Sequence, residues 1–440
     1  TLIEHDDAGG ITTATVPGVP PPMATSTHGL AKPLIITAIV VAGVWALGFV
    51  PLPLVDAELL RAWLAGGGTT MSPGALRSVS LVAIGIAPWI SSALLVEIGA
   101  ALVPRLRALR APAGRQKLAA AADRLGVVVA VAQALMLVRW LDGLQAFGGP
   151  VLSNDGVGTH VALVASMVAG AVLCRLGVHL IDARGVAGGM TMLVAAALGA
   201  EMIGRLASLA AWLQSGALSA RDLVPWLLVI AGAVGAALLV RPFSDDERPP
   251  QPVAGILPLL WGSAVLQVMA SLLPLFNVEP FSWGAHQAVV GACSVVLTIG
   301  IGRTMHLRAP GFAQALPMSL GFVGALLALW AFAGWRDVAI DATAVVIIVC
   351  VARDLIGEVV LRREVGALAT ALTASSLAEA QALQGRLAAA GIAAHVRAAH
   401  HRALLHFFRP HLALDLLVPI DDVERARAVV AHGGVSESSA

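Results

Sequence analysis

Side chains able to do chemistry are scarce in this sequence, and most stand in couples suited to holding helices together rather than to catalysis. Arg139 and Asp142 are three apart, Glu201 and Arg205 four apart, and His179 and Asp182 three apart. Residues three or four apart are neighbours on one helix face, so each couple reads as an ion pair or a helix-end contact, and metal binding at His179 and Asp182 is disfavoured. The connecting stretches hold no nucleophile with a base beside it, no carboxylate pair placed for acid–base work and no phosphate-binding glycine loop. Cys174, Cys293 and Cys350 all fall inside apolar runs, which argues against both a disulfide framework and a zinc site. His395, His400, His401, His406 and His411 gather near the end of the chain. They lack the i, i+4 spacing with a carboxylate that a metal helix uses, and are expected as solvated surface residues. Neither an enzyme nor a cofactor is expected. The most informative polar groups are Ser91, Ser92 and Glu97, which follow Pro88 inside an apolar stretch over 72–103. Polar groups within such a stretch usually face a bundle interior or a water-filled cavity. Alternatively, Pro88 only kinks a helix and Glu97 reaches an interface; the residues alone leave both open.

The elements that must position these groups follow from composition. Of 440 residues, 58% are hydrophobic and 12% charged, with a mean hydropathy of +0.84. An ordinary soluble domain is about a quarter charged, so a single water-soluble enzyme is excluded. The net charge of +1 offers no field for nucleic acid. Residues 1–32 are polar and Pro-rich and read as a flexible tail rather than a cleavable leader. Ten apolar segments follow, near 34–54, 79–103, 125–147, 159–181, 186–213, 223–241, 254–275, 285–303, 316–334 and 342–362. Each is long enough to cross a roughly 30 Å hydrocarbon core and must be helical there, because lipid satisfies no backbone groups. Arginines concentrate on alternate connections, above all 105–124, which puts both termini in the cytoplasm. From 367 to 434 the pattern changes. LATALTAS, AAHVRA and LALDLLVPI read as strands, SLAEAQALQGRLAAAGI as a helix ended by Gly391, and DDVERARAVVAH as a helix capped by Asp421. The expectation is an all-α polytopic membrane protein followed by a small α+β (βαββα) domain on the cytoplasmic side, with a flexible 435–440.

Several stretches, in order, resemble the SecY family of protein-conducting channels. MSPGALRSVSLVAIGIAPWISSALLVE (71–97) is similar to that family's second span, and GRQKLAAAADRLGVVVAVAQA (114–134) to its basic loop and third span. ARGVAGGMTMLV (183–194) resembles the start of the fifth span, VAGILPLLWGSAVL (253–266) the seventh, and DATAVVIIVCVARDLIGEVVLRREVGAL (341–368) the tenth. The matches follow one another in order between residues 71 and 368. The resemblance implies that 33–366 forms two inverted five-helix halves around an hourglass pore. An aliphatic ring would seal that pore by dewetting, and by matched position it comprises Ile86, Ile90, Val194, Leu260 and Ile347. A short plug helix would carry Leu59, Leu60, Trp63 and Leu64. A lateral gate would hold Ser91, Glu97, Gln133 and Pro252; Pro252 stands where the family has asparagine. SecE-like and SecG-like membrane subunits, polypeptide substrates and the bacterial cytoplasmic membrane complete the implied setting.

Two departures stand out. The connections after the sixth and eighth spans, RPFSDDERPPQP and RTMHLRAPGFAQALP, are short, and the first is nearly neutral. Those loops dock the ribosome or the SecA motor in the family, so weak or absent docking is expected, with Arg110, Arg115 and Lys117 left as the cytoplasmic contact. The last unit, with LAEAQALQGRLAAAGI and DLLVPIDDVERARAVV, resembles a small family of prokaryotic signal-transducing domains. The leading reading is a diverged channel subunit. A non-conducting membrane scaffold presenting the last domain is the alternative, and a small-solute transporter is disfavoured because no convergent set of ionisable residues lies in the spans.

Overall fold

The computed structural model describes residues 2–5, 11–14, 28–56, 79–107, 109, 112–142, 145–146, 149–150, 152, 156–240, 256, 259, 289, 291–296, 298–299, 312–336, 338, 340–374, 377–404 and 414–433. Within the expected tail, β1 (Leu2–His5) and β2 (Ile11–Ala14) pair as an antiparallel hairpin. The helices are α1 (His28–Leu47), α2 (Ala87–Leu102), the short α3 (Pro104–Arg107), α4 (Pro112–Asp142), α5 (Val157–Arg184), α6 (Gly189–Gln214), α7 (Leu223–Leu239), α8 (Phe312–Trp335) and α9 (Ala342–Val365). A two-residue ladder, β3 (Gln145–Ala146) with β4 (Gly149–Pro150), links α4 to α5. Among the described residues five helical stretches are long and apolar enough to cross a membrane: Leu30–Leu47, Lys117–Arg139, Val157–Arg184, Gly189–Gln214 and Pro317–Trp335. The expected seventh span lies outside the described residues except for Ile256 and Leu259, and the eighth shows only helical fragments.

Packing follows from which faces carry small residues. α2 lies along α4, α5 touches α1, α4 and α6, and α9 packs on α6 and α7. Ala93, Ala130, Ala134, Ala171, Ala233 and Ala237 are fully or almost fully buried, while Ile39, Met136, Val161, Ile203 and Leu227 point outward and are exposed. Leu163, Met167, Ile181 and Met190 are buried beside these alanines; the small residues let the helices approach closely, and the large apolar ones left outside suit helices whose surround is hydrocarbon.

The second apolar segment differs from expectation at its start. Residues 79–86 are not helical: Leu81 N–H donates to Val50 C=O and Leu52 N–H to Val79 C=O, making a short bridge around Pro51 and Ser80. Pro88 therefore neither interrupts nor kinks a helix. It sits in the first turn of α2, where its missing N–H would have no partner anyway. Irregular backbone at membrane depth survives where protein buries it, and Val79, Ser80, Val82 and Ile84 are all buried. The segment presses so closely on α5 that a Cβ added at Gly170 would fall on the Leu81 carbonyl.

After α9 the chain forms β5 (Leu368–Ala374), α10 (Leu377–Ala389), β6 (His395–Val396), α11 (Ala399–Leu404), β7 (Leu414–Pro419) and α12 (Val423–Gly433). The antiparallel sheet runs β5-β7-β6. Its core joins Leu414, Leu416 and Val418 of β7 to Ala380 and Leu387 of α10 and Ala426 of α12. Gly391 ends α10 at φ +73, as expected. Asp421 lies instead in a one-turn 3-10 helix, Ile420–Asp422, that leads into α12. The unexpected element is α11, whose six residues are too few to register as a helical pattern.

Candidate functional site

Ile86 is the N-cap of α2 and its C=O accepts the Ile90 N–H at 3.4 Å, which sets the two residues one turn apart at the start of the helix. Val194 comes from the first turns of α6. All three border one cavity of about 370 Å³, with Val44, Leu193 and Leu198 completing its apolar wall. The structure thus brings together three of the five expected ring residues around one space whose wall is mostly aliphatic, the kind of surface that water wets poorly. Ile347 is buried on α9 in the same apolar core but does not border this cavity among the described residues. Leu260 lies outside them, as do the plug residues Leu59, Leu60, Trp63 and Leu64.

One charged group reaches the same cavity and was read from sequence only as part of an ion pair. Glu201 borders it while its Oε1 accepts from Arg205 Nε at 3.2 Å. The pair survives as expected, and its position beside the apolar wall is new.

Of the gate residues, Gln133 Nε2 donates to Ser91 Oγ at 3.3 Å, tying α4 to α2, and Glu97 is buried on α2. Pro252 lies outside the described residues. Of the cytoplasmic contact residues Lys117 is exposed, whereas Arg110 and the Arg115 side chain lie outside the description. Two helix-end couples resolve differently from expectation. Asp142 contacts His160 Nε2 of α5 at 2.8 Å. Asp182 Oδ1 accepts the Gly189 N–H at 2.6 Å and so closes the α5–α6 turn.

That turn explains the ARGVAGG motif. A Cβ at Gly189 would strike the Val178 carbonyl, and one at Gly185 would come within 2.5 Å of Thr37 Oγ1. Val186 N–H donates to Thr37 Oγ1 at 3.0 Å and Ala187 N–H to Glu358 Oε2 at 2.9 Å. Ala187 is held at φ +58, a region that costs an L-residue roughly 1–2 kcal/mol.

Glu358 belongs to a second polar cluster that sequence reasoning missed. Asp354 and Glu358 are buried on α9, one turn apart. Glu358 Oε1 accepts from Arg362 Nε at 3.0 Å and Nη2 at 2.8 Å, and Arg397 Nη2 reaches the same oxygen at 3.4 Å. Asp354 Oδ1 accepts the His400 N–H at 3.0 Å and lies 2.7 Å from its Nδ1. Asp354 Oδ2 does the same for His401, at 3.0 and 2.9 Å. The expected solvated histidines are therefore corrected: His401 is only 1% exposed and is held against α9 by Asp354. Burial holds the His395 imidazole below its ordinary range, against the opposing pull of Glu358 and Asp354. His406 and His411 lie outside the described residues. The signal was available, since two acids in an apolar helix demand partners; Arg362 stands one turn away, but Arg397, His400 and His401 lie 39 to 47 residues from the acids they meet.

The SecY family model matches residues 80–246, which contain the cavity wall from α2 and α6. Protein translocase subunit SecY of Streptomyces scabiei is 25% identical over 303 residues, covering 60% of this chain and 68% of that protein. The Streptomyces galbus subunit is 27% identical over 231 residues, covering 47% of this chain and 53% of that one. That of Bacillus licheniformis is 30% identical over 158 residues, 34% of this chain and 36% of its own. In fold, the chain is similar to Sec61 of a canine ribosome-channel complex from the endoplasmic reticulum, with a TM-score of 0.51 at 13% identity, covering 80% of this chain and 96% of that one. It is also similar to a SecY structure determined in work on the plug domain, with a TM-score of 0.54, 13% identity and the same coverages. Taken with the ordered motifs and the helix arrangement, these matches make the chain similar to the SecY family, most directly over the stretch 80–246 that supplies Ile86, Ile90 and Val194.

Proposed function

We propose that this chain is the channel subunit of a polypeptide-conducting pore in a bacterial cytoplasmic membrane. One observation carries the reading: Ile86, Ile90 and Val194, which two sequence-distant segments supply, border a single cavity with a largely aliphatic wall, and all three lie within the stretch matched by the family model. A ring of aliphatic groups holds back hydrated ions and still yields to a passing chain, because an apolar constriction gates by dewetting rather than by bonding. No covalent step is required, and the driving energy comes from partners. Ten spans in two inverted halves with both termini cytoplasmic, a SecE-like and a SecG-like companion, and a channel unit over 33–366 belong to this reading. So does a signal-transducing-like unit over 367–434.

The test is cross-linking. A photoreactive residue at Val194 captures a polypeptide arrested in the reconstituted channel, whereas one at Ile203, which faces outward on the same helix, captures none. Equal capture at both positions, or none at either, contradicts the reading. The short loops after the sixth and eighth spans further lead us to expect weak engagement of ribosomes and SecA. In co-sedimentation at low and physiological salt, the residual binding falls with salt and with neutralisation of Lys117. Tight, salt-insensitive binding contradicts that part.

A further inference from the structure

The C-terminal unit is not an appendage hanging from α9. Ala403 and Leu404 of α11 are buried in the main helical core rather than in the core that β7 makes with α10 and α12. Leu404 C=O accepts the N–H of Ile256 at 3.3 Å, a residue of the stretch that follows α7. Arg397 bridges the two groups of helices: Nη1 donates to the Asp182 carbonyl at the end of α5 at 3.3 Å, and Nη2 reaches Glu358 of α9 at 3.4 Å. Glu358 in turn holds the Ala187 N–H of the α5–α6 turn, and Asp354 of α9 caps the start of α11.

We propose that this unit is an intramolecular clamp that ties the helices before the 215–222 turn to those after it and must let go for them to part. Its polar character suits release. Buried charges repay little of their desolvation cost, and His395 Nε2, Arg397 Nε and His401 Nε2 are buried without a hydrogen-bond partner among the described residues. Strained backbone stands on both sides of the joint, at Ala187 and Ala398, each at φ +58, and such strain persists only while the surroundings enforce it. A joint of this kind is specific without being tight. Keeping a pore shut by this clamp rests on the channel reading; the contact itself does not.

A size swap tests it in the full-length chain. A Cβ at Gly357 of α9 would come within 2.9 Å of His395 Cε1, so Gly357→Met pushes β6 away while improving the helix it sits on. Adding His395→Ala restores the room. In hydrogen–deuterium exchange, Gly357→Met speeds uptake at 183–190 and at 395–404 by about tenfold or more, and the double variant returns both to the unmodified rates. Faster exchange at 395–404 with 183–190 unchanged overturns the clamp, as does no change at either segment or an effect that His395→Ala fails to reverse. In planar bilayers the released variant opens more often. If exchange behaves as stated and no variant conducts, the channel reading fails and the clamp stands.

Discussion

Asp354→Ala lowers the thermal unfolding midpoint of the detergent-solubilised chain by several degrees and frees the C-terminal unit, a larger loss than any surface substitution causes. The carboxylate accepts two backbone N–H groups and meets two imidazole nitrogens, all within 2.7–3.0 Å, and it is 2% exposed. Removing an acceptor from a buried site leaves its donors without water or partner, at about 1–3 kcal/mol for each orphan. Even with local relaxation the sum is on the order of 3 kcal/mol. Asp354→Asn keeps one carbonyl and costs less, and Asp421→Ala, at an exposed position, costs almost nothing. Intrinsic fluorescence or light-scattering melts rank the three. An Asp354→Ala midpoint equal to that of Asp421→Ala contradicts the buried joint.

The helices were legible because their signals are local. Apolar runs near 159–181, 186–213, 223–241, 316–334 and 342–362 became α5, α6, α7, α8 and α9 with boundaries shifted by a few residues, since twenty apolar residues have few other folds available. The α2 region was misread at its start, where helical periodicity over 79–86 lost to a bridge with residues 50–52. Nothing local in SVSLVAIG announces a partner nearly 30 residues upstream. The ring residues Ile86, Ile90 and Val194 were placed by matched position, and their shared cavity could not be read from their identity, because aliphatic residues are the default in any membrane helix.

The C-terminal joint was illegible for the opposite reason. Its histidines fit no spacing rule, as Asp354, the partner of His400 and His401, lies on another element. A histidine at a solvated surface and one capped by a distant carboxylate look alike in one dimension. The acids were the better clue, because buried charges require compensation from somewhere in the chain.

The measurement that tests the central claim most directly is ion leak through purified, reconstituted protein after one aliphatic side chain at the cavity is made polar. Ile86→Asn and Ile90→Asn each put an amide on the aliphatic part of the cavity wall. A single polar group lowers the cost of wetting by at least about 1.4 kcal/mol, and a barrier lowered that far passes roughly tenfold more traffic. Ile203→Asn, on the outward face of α6, is the control for general damage to the bundle. The account predicts that conductance in planar bilayers rises about tenfold for both cavity variants and stays at the unmodified level for Ile203→Asn. Unchanged conductance in both cavity variants, or an equal rise in all three, contradicts a pore sealed at this place.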